Sequence, residues 1–473
     1  MQLVKSTTPK KIKTLYKLLL TILVSFFAAF EPVSAQDNSP YSRYGIGDLV
    51  PQNNIINRSM GGISAGYADV LSINFSNPAS FTSFQSSKEA KSKKLSSGRA
   101  ILDLGLNIDN RTLREPANDN NKFVASNALF SYVQVGVPLK QKWGLSFGLR
   151  PVSRVSYKIF RNERLKDPLT GLPIDSARTV FEGDGGAYLA SLGTGFDLIR
   201  KEKFGLLQKL SFGVNAGYMF GKKDNSTKRY FINDTISYNQ ANYETLTNYG
   251  NLYFTTGVQY MVPLNKTLVL TLGAYGSWKQ KLNATQDVLR ETYVFNESSG
   301  EVRLDSVSDL RDVKGKIEMP ATFTVGFVLQ KLAVINKESG WLIGVDFVQQ
   351  NWDQYRFFGK KDALRNKWEV RVGGQINPIP KRNYLSNISY RFGVFAGPDY
   401  VQVGTNLPQF GGTFGLGLPL ATSRQAPNQA TLINLSFEYI KRGNNDNLLK
   451  ENLFRISAGF SLSDFWFIKR KYD

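Results

Sequence analysis

Several stretches of this chain alternate strictly with a period of two. Leu210, Phe212, Val214, Ala216, Tyr218 and Phe220 share one face, and Ser211, Gly213, Asn215 and Gly217 share the other. Trp368, Val370 and Val372 oppose Glu369, Arg371, Gly373 and Gln375; Phe454, Ile456, Ala458, Phe460 and Leu462 oppose Arg455, Ser457, Gly459, Ser461 and Ser463. One apolar and one polar face at period two is the mark of a half-buried strand. Beyond the first 35 residues no apolar run approaches the ~20 residues that a membrane helix needs. Two classes remain: an exported sandwich, or a closed barrel, the other spanning structure that satisfies its backbone internally.

The composition of the two faces separates them. The polar face of a soluble sandwich meets water and carries Lys and Glu. Here that face is mostly Ser, Thr, Gly and Asn, while the apolar face is large and bears Trp143, Trp278, Trp341, Trp368 and Trp466 near its ends. A lipid-facing band with aromatic girdles around a polar lumen has this pattern. Fourteen runs are predicted, at 99–109, 123–138, 142–158, 184–199, 208–221, 243–262, 266–282, 314–331, 340–350, 366–377, 386–397, 408–420, 430–441 and 452–468. Twelve or sixteen strands stay open, because single-sequence boundaries are good to a few residues only. The connections after odd runs are mostly long and polar (110–122, 159–183, 222–242, 283–313, 351–365), and those after even runs are mostly short, as in outer-membrane barrels. The fold class expected is therefore all-β, a transmembrane antiparallel β-barrel of about fourteen strands.

Lys5, Lys10, Lys11, Lys13 and Lys17, the apolar Leu18 to Phe30, and Val33-Ser34-Ala35 read as a secretory signal over 1–35. Residues 36–97 are expected to form a plug and a charged linker (86–98), and 98–473 the barrel, in a Gram-negative outer membrane with both termini periplasmic. The plug reading rests on Arg58-Ser-Met-Gly61-Gly62-Ile-Ser-Ala-Gly-Tyr-Ala-Asp69 and Asn77-Pro78-Ala79, a small-residue stretch between signal and first strand. Gly61 and Gly62 either let the backbone pass close to the wall or form an ordinary turn; Asn77-Pro78 reads as a turn before the first strand.

The formal charge is +21; removing five Lys and Glu31 with the signal takes away +4 and leaves +17. An exported protein of this charge points to outer-membrane lipid and lipopolysaccharide rather than nucleic acid, with solvated loop lysines as the alternative. The basic ending Lys469-Arg470-Lys471 has the same two readings. With no Cys, the chain has no disulfides and no lipoprotein anchor; with no His, it lacks the commonest base and metal ligand. No enzymatic activity, cofactor or metal is expected.

The order of signal, Ser59-Met-Gly-Gly62, Ala68-Asp69, Asn77-Pro78-Ala79 and about fourteen strands resembles the FadL family of outer-membrane transporters for long-chain fatty acids and other hydrophobic compounds, in a Bacteroidetes-type form. The resemblance implies a hatch inside the barrel, a hydrophobic ligand in the lumen and release through a gap where the third strand kinks. In the third run Pro151 falls in the lipid-facing phase with Gly148 nearby, and proline marks a break in pairing. A lateral opening is expected there; the alternative is that Pro151 only ends regular pairing at the rim. Against transport stand the lumen-phase charges Asp346, Glu369, Arg371, Arg391, Glu438 and Arg455, which suit a sealed barrel of paired ions. Asp69 is a candidate to pair with Arg391 or Arg455 and lock the hatch. Two functions follow: passive uptake of hydrophobic small molecules, or a non-transporting accessory subunit of an outer-membrane secretion or assembly machine with protein partners.

Overall fold

The computed structural model describes residues 39–88, 95–232, 239–296, 298, 300–334, 337–420 and 428–466. The expected signal (1–35), most of the linker (89–94) and the basic tail (467–473) lie outside the described residues. Fourteen wall strands close on themselves. They are β1 (Leu95–Glu115), β2 (Asn118–Lys140), β3 (Trp143–Lys166), β4 (Pro173–Lys203), β5 (Leu206–Phe231), β6 (Gln240–Pro263), β7 (Leu268–Ser277 continuing as Gln280–Asn296) and β8 (Gly300–Met319 continuing as Thr322–Lys331). β9 (Gly340–Gln350), β10 (Lys367–Asn377), β11 (Ser389–Pro398), β12 (Pro408–Pro419), β13 (Ala430–Arg442) and β14 (Lys450–Trp466) complete the wall. Neighbours pair antiparallel throughout, and β14 closes on β1 from Lys450↔Arg114 to Trp466↔Gly98. Closure removes the sheet edges that a membrane cannot solvate.

The alternation seen in the sequence sets the two surfaces. On β5, Ser211, Asn215, Met219 and Lys223 are buried inward while Tyr218 and Phe220 are exposed outward. Two expectations change. The polar connections 110–122, 159–183, 222–242 and 283–313 are largely strand, so β1 to β8 run well past the apolar band. These extensions are mostly polar with scattered apolar residues such as Phe160, Val180 and Leu304, so no sustained period-two signal marks them. The linker is part of a hairpin, Ser86–Lys88 against Leu95 to Gly98. β7 and β8 break at Trp278-Lys279 and Pro320-Ala321. At the break the Gln280 amide accepts from Phe254 N–H at 2.8 Å and donates to Phe254 C=O at 2.9 Å, standing in for the missing backbone ladder.

Residues 39–84 fill the lumen as a plug with almost no regular structure. It holds one α-helical turn, Ile55–Arg58, and two 3-10 turns, Pro40–Arg43 and Pro78–Ser83. Its apolar side chains form two clusters with the wall: Ile55, Ile73, Phe75, Phe81 and Phe84 against Ile101 and Tyr132, and Ile56, Met60, Ile63 and Tyr67 against Val328 and Leu342. A third cluster sits at the long-loop end. Tyr41 and Ile46 of the plug pack under Trp352, Tyr355, Tyr400, Val401 and Leu407 of the connections after β9 and β11. The Trp352 and Tyr400 rings lie 4.7 Å apart, and the Tyr400 hydroxyl donates to Gly47 C=O. These two connections cap the lumen.

Candidate functional site

The plug touches the wall through glycine. A β-carbon on Gly144, Gly195, Gly213, Gly257, Gly273, Gly373, Gly393 or Gly415 would fall closer than 3.0 Å to plug atoms, most of them backbone. These residues come from β3, β4, β5, β6, β7, β10, β11 and β12, so they form a belt around the lumen. Gly61 and Gly62 meet the belt from inside, with φ of 68° and 89°, a region that side chains disfavour. The Gly61 amide donates to Thr413 Oγ1 at 2.9 Å, and Gly62 C=O accepts from Asn53 Nδ2 at 2.6 Å and from Arg371 Nη1 at 3.1 Å. Asn77 caps the Pro78–Ser83 turn through Ala79 N–H at 3.1 Å and donates to Ala65 C=O at 2.8 Å. Ala79 is fully buried.

Two ionic networks bind plug to wall. Arg58 of the plug reaches Glu438 at 2.6 Å and donates to Asn107 at 3.0 Å, Ser131 at 3.3 Å and Ser457 at 2.9 Å. Arg455 grips Asp109 with two bonds of 2.6 and 2.7 Å and lies 3.5 Å from Glu438. The second network joins Asp48 of the plug to Arg111 at 2.7 Å and Arg442 at 3.0 Å. Arg111 and Arg442 share Glu451, and Arg442 also binds Asp399, at the start of a capping connection, at 3.0 Å. Removing one member of such a buried set leaves a charge without compensation, which is why the sets are complete. Glu369 pairs with Arg371 at 2.5 Å and Lys367 at 3.2 Å. Asp346 accepts the amides of Ser64 at 2.6 Å and Ala65 at 2.9 Å.

The expected Asp69 lock is not how the plug is held. Asp69 accepts from Tyr67 OH and Leu71 N–H, both at 3.0 Å and within the plug, while Arg391 donates to Gln375 at 2.6 Å and Asn434 at 2.9 Å. The polarity is reversed: the plug supplies the cation Arg58, and the wall supplies the anion Glu438. Sequence reading missed Arg58, Asp48, Asp109, Arg111, Asp399, Arg442 and Glu451. Asp109, Arg111 and Glu451 continue the lumen phase of their strands beyond the points where the apolar signal fades, and that continuation was the available cue.

At β3 the wall departs from regular pairing. β2 pairs with β3 only from Val133↔Leu149 to Lys140↔Trp143. Pro151 lies two residues beyond the last pair and lacks the N–H to continue. From Arg150 to Ser153 four consecutive residues are buried, and a bulge against β4 between Pro151 and Ser153 shifts the phase, so that Ser153, Val155 and Tyr157 are the buried ones beyond it and the strand turns toward the plug. Pro151, lipid-facing by phase, is therefore buried, and Gly148 faces inward against Gln134. The plug takes the place that β2 vacates. Asp48 and Leu49 pair with Arg154 and Ser153, Val50 N–H donates to Val152 C=O at 3.0 Å, and Ser39 N–H donates to Ser156 C=O at 3.1 Å.

A family model for BamG matches residues 12–473. The chain belongs to the BamG family. Its fold is FadL-like: a Pseudomonas aeruginosa FadL homologue aligns at a TM-score of 0.50 and 13% identity, over 89% of this chain and all of that one. The P. putida toluene transporter TodX aligns at 0.47 and 13%, over 88% and 99%. Likeness at this identity speaks for the fold of this BamG-family barrel alone. A comparison with curated proteins returns no match. Among the described residues no group of His, Cys, Asp or Glu is placed to hold a metal ion.

The lumen keeps a cavity in which buried charges stand among apolar side chains such as Leu189, Met219, Met319 and Trp352. This cavity of about 300 Å³ lies between plug, cap and wall, and its lining includes Asp48, Arg58, Arg150, Glu369, Arg371 and Arg442. Arg150 reaches it from the inturned part of β3, with Nε on Gln52 at 3.0 Å and its guanidinium 5.0 Å from the Phe75 ring.

Proposed function

We propose that this barrel is a non-transporting accessory subunit of a multi-protein outer-membrane assembly or secretion machine. It is set in the outer membrane with its long connections outside. The observation that carries the reading is the closed lumen: plug and wall are joined by two buried ionic networks and a glycine belt, under an apolar cap. A passive carrier must open a path each time a molecule passes. Here a path costs several buried ion pairs, each worth about 3–5 kcal/mol when broken on one side. The family name BamG points the same way. Outward-facing lipid and lipopolysaccharide are the barrel's surroundings in this reading, and other outer-membrane proteins are its partners.

The second reading, lateral uptake of hydrophobic molecules, has one observation of its own. β2 and β3 part beyond Val133 and Leu149, beside Pro151, where a side opening is wanted. Purification from native membranes in mild detergent separates the two. Stoichiometric, salt-resistant protein partners support the accessory role. A monomeric barrel that carries lipid or hydrocarbon in its lumen, and whose loss abolishes growth on a hydrophobic substrate, overturns it.

A further inference from the structure

The outer face of the wall carries a row of cations that no acid answers. Lys450 on β14 stands directly opposite Arg114 on β1, and Arg114 stands directly opposite Lys122 on β2. All three lie in the outward phase: Glu451, Leu113 and Ala125, in the opposite phase of the same strands, are buried. Lys441 on β13 completes the group; it pairs with Asn452, two residues from Lys450 on β14. Like charges directly opposite each other destabilise a sheet. Elsewhere exposed lysines of the wall face acids: Lys158 reaches Glu182 at 2.5 Å, Lys279 reaches Glu318 at 2.5 Å and Lys331 reaches Glu338 at 2.7 Å. Among the described residues none of the four cations is in an ion pair, and Arg114 Nε is buried without a hydrogen-bond partner. Lys450 donates one of its protons to Asn445 at 2.6 Å. Two acids, Glu115 and Asp119, belong to the hairpin tip beyond the row, and Asp446 in the connection after β13 accepts from Asn444 at 3.1 Å.

Below the row the wall is apolar and aromatic. Lys441 Nζ lies 5.8 Å from the centre of the Phe410 ring and 5.9 Å from that of Tyr439. Phe454 and Trp466, both exposed on β14, are twelve residues apart, which is ~40 Å of strand and ~30 Å of membrane at a tilt of ~40°. That is the thickness of the hydrocarbon core, so Phe454 marks its outer border and the cations stand at head-group height. Beneath Lys441 an outward groove of about 760 Å³ is lined by Phe392, Val394, Phe414, Tyr439 and Phe454. Gly412 lines it too, and a β-carbon there would meet no atom within 4 Å, so the glycine keeps the groove open.

We propose that this face binds a phosphorylated, multiply acylated lipid of the outer leaflet, of the lipid A type. Its phosphate lies across Lys450, Arg114 and Lys122, with Lys441 at the edge, and an acyl chain lies in the groove. A phosphate has several acceptor oxygens, enough to meet cations from neighbouring strands together, and it turns their mutual repulsion into attraction. A soluble anion would answer the row and leave the groove empty of its own chain; an uncharged lipid would fill the groove and leave the row unanswered. An acidic protein segment suits the site less, because the groove that continues it faces hydrocarbon. The inference goes beyond the accessory role and takes from that reading only the outward placement of the long connections.

The test uses the full-length barrel in phosphatidylcholine nanodiscs, alone or with bisphosphorylated lipid A, with lipid A stripped of its phosphates, or with inorganic phosphate. Hydrogen exchange of amides 110–114 and 450–454 reports on the row, and native mass spectrometry counts the lipid retained. Bisphosphorylated lipid A is expected to stay bound and to slow those amides about 10-fold, the effect of one charge-assisted contact. Stripped lipid A and inorganic phosphate are expected to do neither. Arg114→Gln with Lys450→Gln is expected to abolish the difference between the two lipids and, in phosphatidylcholine alone, to slow the same amides, because the repulsion is gone. Gly412→Leu fills the groove from the lipid side and is expected to lower retention of lipid A about fivefold with the exchange of β12 and β13 unchanged. Equal protection by stripped lipid A, protection by inorganic phosphate alone, or a double variant that keeps the preference overturns the site. In native membranes a photo-crosslinking residue replaces Thr112, two residues from Arg114 in the same phase and opposite Asn452. Capture of lipid A is the expected result. Capture of phospholipid alone overturns the proposal; capture of a protein overturns it and leaves the accessory reading standing.

Discussion

Arg58→Ala tests whether the plug is fixed. The guanidinium lies at the end of the Ile55–Arg58 turn and is 3% exposed; its partner Glu438 is equally buried. Truncation removes the 2.6 Å ion pair and the bonds to Asn107, Ser131 and Ser457. Breaking one side of a buried pair costs about 3–5 kcal/mol. Arg455 remains 3.5 Å from Glu438 and partly compensates it, so the low end applies, about 3 kcal/mol. At ~1.4 kcal/mol per tenfold, plug opening becomes about 100-fold more frequent. Native-state hydrogen exchange in nanodiscs reads this directly. Amides of 55–62 are expected to exchange about 100-fold faster, with those of β12 and β13 unchanged. Arg58→Met combined with Glu438→Met removes both charges and is expected to recover part of the protection, because Arg455 keeps Asp109. Exchange within threefold of the native protein in Arg58→Ala, or a double variant that opens further than the single one, would refute the reasoning.

Three further outcomes follow from the same geometry. Gly393→Ala places a methyl against Gly61 N and the Met60 carbonyl carbon, both backbone; it is expected to cost about 1–3 kcal/mol, read as a lower urea midpoint with unchanged slope. Asp346→Asn keeps an acceptor for Ser64 and Ala65 but loses the charge, so it should loosen those two amides less than Asp346→Ala does, by hydrogen exchange. In the connection after β3, amides of Leu169 and Thr170 hold the Asp167 carboxyl below its ordinary value. This turn is therefore stabilised above about pH 4 and loses that stabilisation as pH falls through the depressed value; a carboxyl carbon titration that gave a raised midpoint would contradict it.

The barrel was readable because one face of each strand touches lipid. Trp368, Val370 and Val372 are exposed, Glu369 is buried between them, and the phase of that run gives both facts before any coordinates. The same signal fails where a strand leaves the apolar band. Nothing in the alternation distinguishes Arg178 to Glu182 from a polar loop, yet those residues pair with Lys158 to Asn162 on one side and Ser226 to Tyr230 on the other. The plug's place was legible from its small residues. Its fastening was not, because Arg58 meets Glu438 across 380 residues and no local pattern records that distance. Pro151 marked the right place on β3, but the sequence did not reveal that the plug strand Asp48–Leu49 pairs with β3 there.

That exchange of neighbours bears on what a plug of this kind does. In a sealed lumen, ionic contacts alone fix a plug, and the wall closes without help. Here β3 turns inward and its carbonyls at Val152 and Ser156 find their donors on Val50 and Ser39. Wall and plug are thus one hydrogen-bonded structure at this point, and neither is complete without the other. Ser39 also donates to Glu451, and Asp48 enters the Arg111–Arg442 network, so the segment that replaces β2 is also tied to β1, β13 and β14. Pulling the plug out would unpair β3 and take Asp48 away from Arg111 and Arg442, leaving them Glu451 and Asp399. Pushing β3 back toward β2 would unpair the plug. A conduit gains nothing from this coupling. A barrel that must present a fixed outer surface gains rigidity from it, because β3 and the plug hold each other in place.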